Sequence, residues 1–182
     1  IQKHSFKTIN KMKYALKSLD FVSVREKSGL ALCKDLFDVD AEWIIDPVFM
    51  LNKFDYNEIC KNNDNHTNNK IVTYVMDSTK ENFNQAYKFL SKKYNAEIYK
   101  LDNFNHTLDE WVSAIKNCRL FVTDSFHGMC VALIFNKPFI LVANKGTRNN
   151  RFDSLFELLN IQNQSINSIK EVYKKDCIFK IN

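Results

Sequence analysis

The chain has 182 residues, of which 45% are hydrophobic and 26% charged, and a net charge of +5. That length allows one good core, or one domain plus part of another, and the composition excludes a disordered chain. No run approaches the roughly 20 apolar residues of a membrane-spanning helix, and the chain lacks the dense Lys/Arg face or aromatic motif of a nucleic-acid binder.

The start, IQKHSFKTINKMKYALK, carries no apolar core of signal-peptide type. Apolar spacing predicts a helix over residues 9–19, a strand at 21–24 ending in Arg25, and a helix across 28–37. Residues 43–51 (WIIDPVFML) read as a short strand broken by the Asp46-Pro47 turn. The Asn-rich residues 53–69 read as a linker with a brief amphipathic patch at 56–60. A buried-type strand follows at 70–76, and Ser78 with Glu81 forms a capping-box signature before a helix carrying Phe83, Tyr87 and Leu90. After a strand at 96–101, Thr107 with Glu110 gives a second capping box. The helix it opens places Leu108, Trp111, Val112 and Ile115 on one face.

The remaining pattern is a strand at 119–123, a helix at 126–136, a strand at 138–143 and a helix at 151–159. Such alternation predicts an α/β fold, a parallel sheet with helices on both sides. Ligands in such sheets sit beyond the carboxyl ends of the strands, where the loops 124–128 and 144–151 fall. The five cysteines are widely spaced with no CxxC, as in a cytosolic protein with reduced thiols. Glycine is scarce, three residues in all, so each is expected to answer a backbone need.

The most informative stretch is 121–155, FVTDSFHGMCVALIFNKPFILVANKGTRNNRFDSL. His127 sits in the opening turn of an apolar helix and is followed by Gly128. A helix start presents backbone N–H groups and the positive end of a dipole, which suits an anion. From Ser125 to Phe152 there is no Asp or Glu, while Lys137, Lys145, Arg148 and Arg151 are present. His127 therefore reads as an acid or charge partner for an anionic substrate, against the plainer role of a packing histidine.

Asp124 and Ser125 read first as helix caps, with the Ser125 hydroxyl or N–H also able to meet a ligand. No G-x-S-x-G elbow accompanies Ser125, so a serine hydrolase is excluded. Arg148 and Arg151 carry guanidinium forks suited to carboxylate or phosphate; the competing roles are a solvated loop or an Arg151–Asp153 pair. Arg25 can face a ligand or pair with Glu26 or a helix end. His4, His66 and His106 show no metal-ligand spacing, and no metal site is expected. There is no P-loop or GxGxxG.

Two blocks, FVSVREKSGLALCKDLF with WIIDPVFML, and FVTDSFHGMCVALIFNKPFILV with GTRNNRFDSLFELL, together resemble the polysaccharide pyruvyl transferase family. The resemblance implies a Rossmann-like parallel sheet with flanking helices in a GT-B-like two-domain architecture, of which this chain is a partial copy. Residues 1–52 would be the C-terminal part of a truncated N-terminal Rossmann-like domain, 53–69 a linker, 70–160 the C-terminal Rossmann-like domain and 161–182 a tail. The active site would lie in the cleft between the domains.

The implied activity moves pyruvate from phosphoenolpyruvate to two hydroxyls of a sugar as a cyclic ketal, with release of phosphate, in cell-surface or exopolysaccharide biosynthesis. No cofactor is implied; phosphoenolpyruvate is the donor substrate, and a glycan or lipid-linked sugar the acceptor. The implied setting is the cytoplasm, with no nucleic-acid partner, no membrane span and room for peripheral membrane association. In that reading His127 protonates or hydrogen-bonds the departing donor phosphate. The backbone of Ser125, Phe126 and Gly128 holds its oxygens, and Arg25 pairs with its carboxylate or phosphate.

The family pattern often places Arg-Leu before the histidine, where this chain has Ser125-Phe126. The arginine contact expected at 125 is missing, and Arg148 or Arg151 are candidates to replace it. Two further readings stay open: a GT-B glycosyltransferase using a nucleotide sugar, and a non-catalytic anion- or glycan-binding fragment. The first calls for a ribose-binding acid that residues 125–152 do not contain.

Overall fold

The structure, a computed structural model, describes residues 5–60, 66–76, 82–102, 105–143, 149–162, 164–174 and 176–180. In chain order the first elements are α1 (Phe6–Lys17), β1 (Ser23–Val24), α2 (Lys27–Phe37), β2 (Glu42–Trp43) and, after a 3-10 turn at Pro47–Met50, α3 (Lys53–Ile59). They are followed by β3 (Ile71–Tyr74), α4 (Phe83–Tyr94), β4 (Ile98–Lys100), α5 (Leu108–Asn117), β5 (Leu120–Thr123), α6 (Phe126–Ile134), β6 (Phe139–Leu141) and α7 (Asn149–Leu158). A second 3-10 turn spans Ile169–Tyr173.

The chain forms two compact units, one of Ile1–Asp46 with Asn149–Asn163, the other of Pro47–Arg148 with Gln164–Asn182. In the first, β1 and β2 pair in parallel with Ser23 opposite Glu42 and Val24 opposite Trp43, and α2 makes the crossover. Gly29 lets that helix lie directly on the strand: a Cβ there would stand 2.9 Å from the Val24 Cβ. Asp38 ends α2 in the left-handed region (φ 52), and its N–H and that of Val39 satisfy the carbonyls of Lys34 and Cys33. Its carboxylate takes Lys17 at 2.7 Å and Lys13 at 3.4 Å, tying α1 to the end of α2. Those ammonium groups hold the Asp38 carboxyl below its usual range.

The second unit is a four-stranded sheet in the order β4-β3-β5-β6, all parallel, with Ile71 opposite both Ile98 and Leu120, and Phe121 opposite Phe139. Both faces are covered, which is why KIVTYVM and LFVT read as unbroken apolar runs. Ile71, Leu120, Val122 and Ile140 pack with Phe83, Ala86 and Leu90 of α4 and with Ile169 and Val172. Phe121 and Thr123, of the opposite parity, face Gly128 of α6. Helix α5 packs against α6 on that side.

The tail runs along the free edge of β6. Ile166 bridges to Val142, and Phe179 pairs with Phe139 through two backbone hydrogen bonds and a ring stack at 4.8 Å. It thereby satisfies N–H and C=O groups that an edge strand would otherwise expose.

The Thr107–Glu110 capping box is formed in both directions. Leu108, expected on the buried face of that helix, is exposed, because it precedes the first turn that meets the core. Residues 43–51 hold only the end of β2 before the 3-10 turn, since Pro47 has no N–H to donate to a ladder. The first part of the expected linker carries α3, started by an Asn52–Asp55 capping box and anchored by buried Tyr56 and Cys60. The Ser78–Glu81 pair falls outside the described residues.

Candidate functional site

The turn from β5 into α6 is built by three polar residues that are all buried. Thr123 Oγ1 donates to the Tyr74 carbonyl at 2.7 Å and accepts the Ser125 N–H at 2.9 Å, joining the ends of β3 and β5 to the turn. Asp124 Oδ1 accepts the Met76 N–H at 2.8 Å. Asp124 was expected to cap the helix; instead it holds the chain leaving β3. Ser125 is the cap, its Oγ accepting the Gly128 N–H at 3.2 Å. The amides of Ser125 and Gly128 are therefore occupied within the protein, so an oxyanion at this turn would have to use other groups.

Gly128 is required by close approach rather than by a special φ. A Cβ there would stand 3.1 Å from both Phe121 Cε1 and Thr123 Oγ1. Helix α6 is apolar almost throughout, and each residue of 126–133 is buried except His127. Phe126 is buried, with its ring edge-on to the His127 ring at 5.6 Å between centroids. A helix packed on nearly all sides thus presents one imidazole outward from its first turn.

His127 lines a pocket of about 510 Å³ together with Tyr56, Tyr74, Trp111, Asp102 and His106, all within the second unit. Tyr74 and Trp111 meet edge to face at 5.6 Å, with interplanar angle 77°. Burial, with the nearby Asp124 charge, pushes the Tyr74 hydroxyl up from its ordinary value. His106 is held at both nitrogens. Its Nδ1 faces the Asp102 N–H at 3.5 Å, and its Nε2 meets Tyr99 Oη at 3.1 Å. Tyr99 Oη also meets His66 Nε2 at 3.2 Å. Asp102 Oδ1 lies 3.8 Å from the same His106 Nδ1. His106 and its links to Tyr99 and His66 were not foreseen from sequence; the one available signal was its place just before the Thr107 cap.

The remaining candidates lie elsewhere. Arg25 follows β1 in the first unit, where its Nη1 binds Asp46 Oδ2 at 2.7 Å; Asp46 is buried while Arg25 is half-exposed. The expected turn at Asp46-Pro47 therefore carries an ion pair as well, and the Glu26 considered for Arg25 instead meets Arg151 Nε at 3.2 Å. Arg148 falls outside the described residues. Among the described residues, no group of three or more His, Cys, Asp or Glu is arranged to hold a metal ion, and no helix is long and apolar enough to cross a membrane. All five cysteines are buried thiols.

Comparison with known proteins gives one family. The family model for polysaccharide pyruvyl transferase matches residues 3–146. Among curated proteins no significant match is found. The matched stretch runs through both the Arg25 turn and the buried helix that exposes His127, and it covers most of the chain. The chain belongs to the polysaccharide pyruvyl transferase family.

Proposed function

We propose that this chain, a member of a transferase family, moves the pyruvyl group of phosphoenolpyruvate onto two hydroxyls of a sugar as a cyclic ketal, in cytoplasmic assembly of cell-surface or exopolysaccharide. The single observation that carries the reading is the outward His127 on an otherwise buried helix start. Its mount on a packed helix restricts where the imidazole can be.

The chemistry balances without a cofactor. The donor CH2 gains a proton and becomes CH3, the bond from its neighbouring carbon to the phosphate oxygen breaks, and that carbon forms bonds to two acceptor oxygens. Of the two hydroxyl protons released, one balances the new methyl and the other the departing phosphate. His127 acts as the acid at the departing phosphate oxygen. A guanidinium serves the donor carboxylate or phosphate, with Arg25, Arg148 and Arg151 as candidates. A GT-B-like pair of Rossmann-like domains belongs to the same reading.

The test is to incubate the full chain with phosphoenolpyruvate and methyl hexopyranosides, following phosphate release by phosphorus NMR and product mass. Ketal formation that disappears in His127→Ala is the expected result. Transfer at near wild-type rate in that variant would overturn the role given to His127. Calorimetry with phosphoenolpyruvate against nucleotide sugars separates this reading from a glycosyltransferase.

A further inference from the structure

Strand β3 sends successive side chains to opposite faces. Ile71 joins the core on the α4 side, whereas Tyr74 meets Trp111 of α5 and lines the pocket that also contains His127. The walls of that pocket are mainly aromatic and aliphatic: Tyr56, Tyr74 and Trp111, with Val48, Leu51 and Ile59 beside them. The acidic group in the wall is the Asp102 carboxylate, and Thr107 adds a hydroxyl.

Phosphoenolpyruvate carries a carboxylate and a phosphate, both of which the Asp102 carboxylate in the wall repels. A pyranose is the opposite case: uncharged, with C–H groups on its ring faces and hydroxyls around its edge. Its faces match aromatic walls, and a carboxylate is a strong acceptor for its hydroxyls.

We infer that this pocket is the acceptor subsite, taking a neutral sugar ring against Tyr74 and Trp111, with Asp102 binding its hydroxyls and His127 at the boundary toward the donor. The inference rests on the transfer reading above and adds which reactant this pocket takes. Asp102 is already braced for that duty, since its two oxygens receive the N–H and the side-chain amide of Asn105 at 2.7 and 2.9 Å. His106, bonded at both nitrogens, is a positioning residue that shapes the wall beside it.

Two measurements test the assignment. The chain has two tryptophans, so Trp43→Phe leaves Trp111 as the sole indole reporter. In that protein at least one methyl hexopyranoside should change the emission saturably, and phosphoenolpyruvate should not displace it competitively. In steady state, Asp102→Asn and Trp111→Ala should raise the acceptor KM by about tenfold or more while leaving the donor KM within about twofold, and Trp111→Phe should recover much of the loss. Competitive displacement by phosphoenolpyruvate, a selective rise in donor KM, or no emission change with any glycoside would overturn the subsite. Saturable glycoside binding without phosphate release would keep the subsite and remove the pyruvyl transfer reading. Turnover with an unchanged acceptor KM in both variants would do the reverse.

Discussion

Helices α2 and α6 start alike: each follows a parallel strand, and the third residue of each is a glycine, Gly29 and Gly128. In both, the missing Cβ lets the helix press on its preceding strand. Their caps differ. Helix α6 closes its own first turn through Ser125, whereas Glu26 makes no side-chain cap on α2. The Lys27 N–H of α2 is instead bonded at 3.1 Å by the hydroxyl of Ser154 on α7. The Lys27–Glu157 and Arg151–Glu26 ion pairs join the same two helices. Burial differs too: Cys33 is the one buried residue of α2, while α6 is enclosed nearly throughout. A cap encoded within four residues can be read locally and holds its second helical residue, His127, in a defined place. A cap borrowed from far along the chain depends on the tertiary fold.

The comparison breaks most sharply at the second helical residue. His127→Ala should lower ketal formation by about 10² to 10⁴-fold, whereas Ser28→Ala, its counterpart on α2, should leave the rate within about twofold; product mass after timed incubation measures both. The glycines come next. Gly128→Ala should destabilise by about 1–3 kcal/mol in urea unfolding, because the added methyl meets a fully buried Phe121 ring and the engaged Thr123 hydroxyl. Gly29→Ala should cost a similar amount: the added methyl would stand 2.9 Å from Val24 Cβ, which moves only with its backbone, while alanine recovers about 0.5–1 kcal/mol of helix preference.

The two caps should each contribute about 1 kcal/mol by Ser125→Ala and Ser154→Ala. Their exchange signatures should separate: Ser125→Ala speeds hydrogen exchange at the Gly128 amide, and Ser154→Ala at the Lys27 amide. If Ser154→Ala left Lys27 protection unchanged, the borrowed cap would not be functioning as described.

The smallest effect is alkaline. Burial pushes the Cys118 thiol up to about 12 from 9.0, and Tyr87 up to about 12 from 10.0. A raised folded-state pKa favours the protonated form, so this stabilisation is complete below pH 9 and is lost as pH rises from 9 toward 12. Cys118→Ala should flatten the upper part of the stability-versus-pH curve for the second unit, seen as a smaller fall in unfolding midpoint between pH 9 and pH 10.

Local signals located most elements. Thr107 with Glu110 announced α5, the unbroken apolar runs announced strands buried on both faces, and Ser125 ahead of an apolar helix announced α6. His127 was legible for the same reason, being a polar residue in the first turn of an otherwise apolar helix. Less legible were the partners. Asp124 bonds Met76 across 48 positions, Arg25 binds Asp46 across 21, and Ser154 caps Lys27 across 127. No periodicity or short motif encodes such separations. His106 carries no such local signal, because its neighbours in sequence are polar, whereas its neighbours in space are Tyr99 and the wall of the His127 pocket.

The amino-acid order by itself thus determined the parallel strand-helix alternation, the capped start of α6 and the presence of His127 in its first turn, because each depends on contacts within a few residues. Tertiary structure alone decided that His127 shares a pocket with Tyr74, Trp111 and Asp102, and that Asp124 braces β3 rather than capping α6. Those outcomes depend on which strands become neighbours in the sheet, and strand pairing is set by burial of whole faces rather than by any local run of residues.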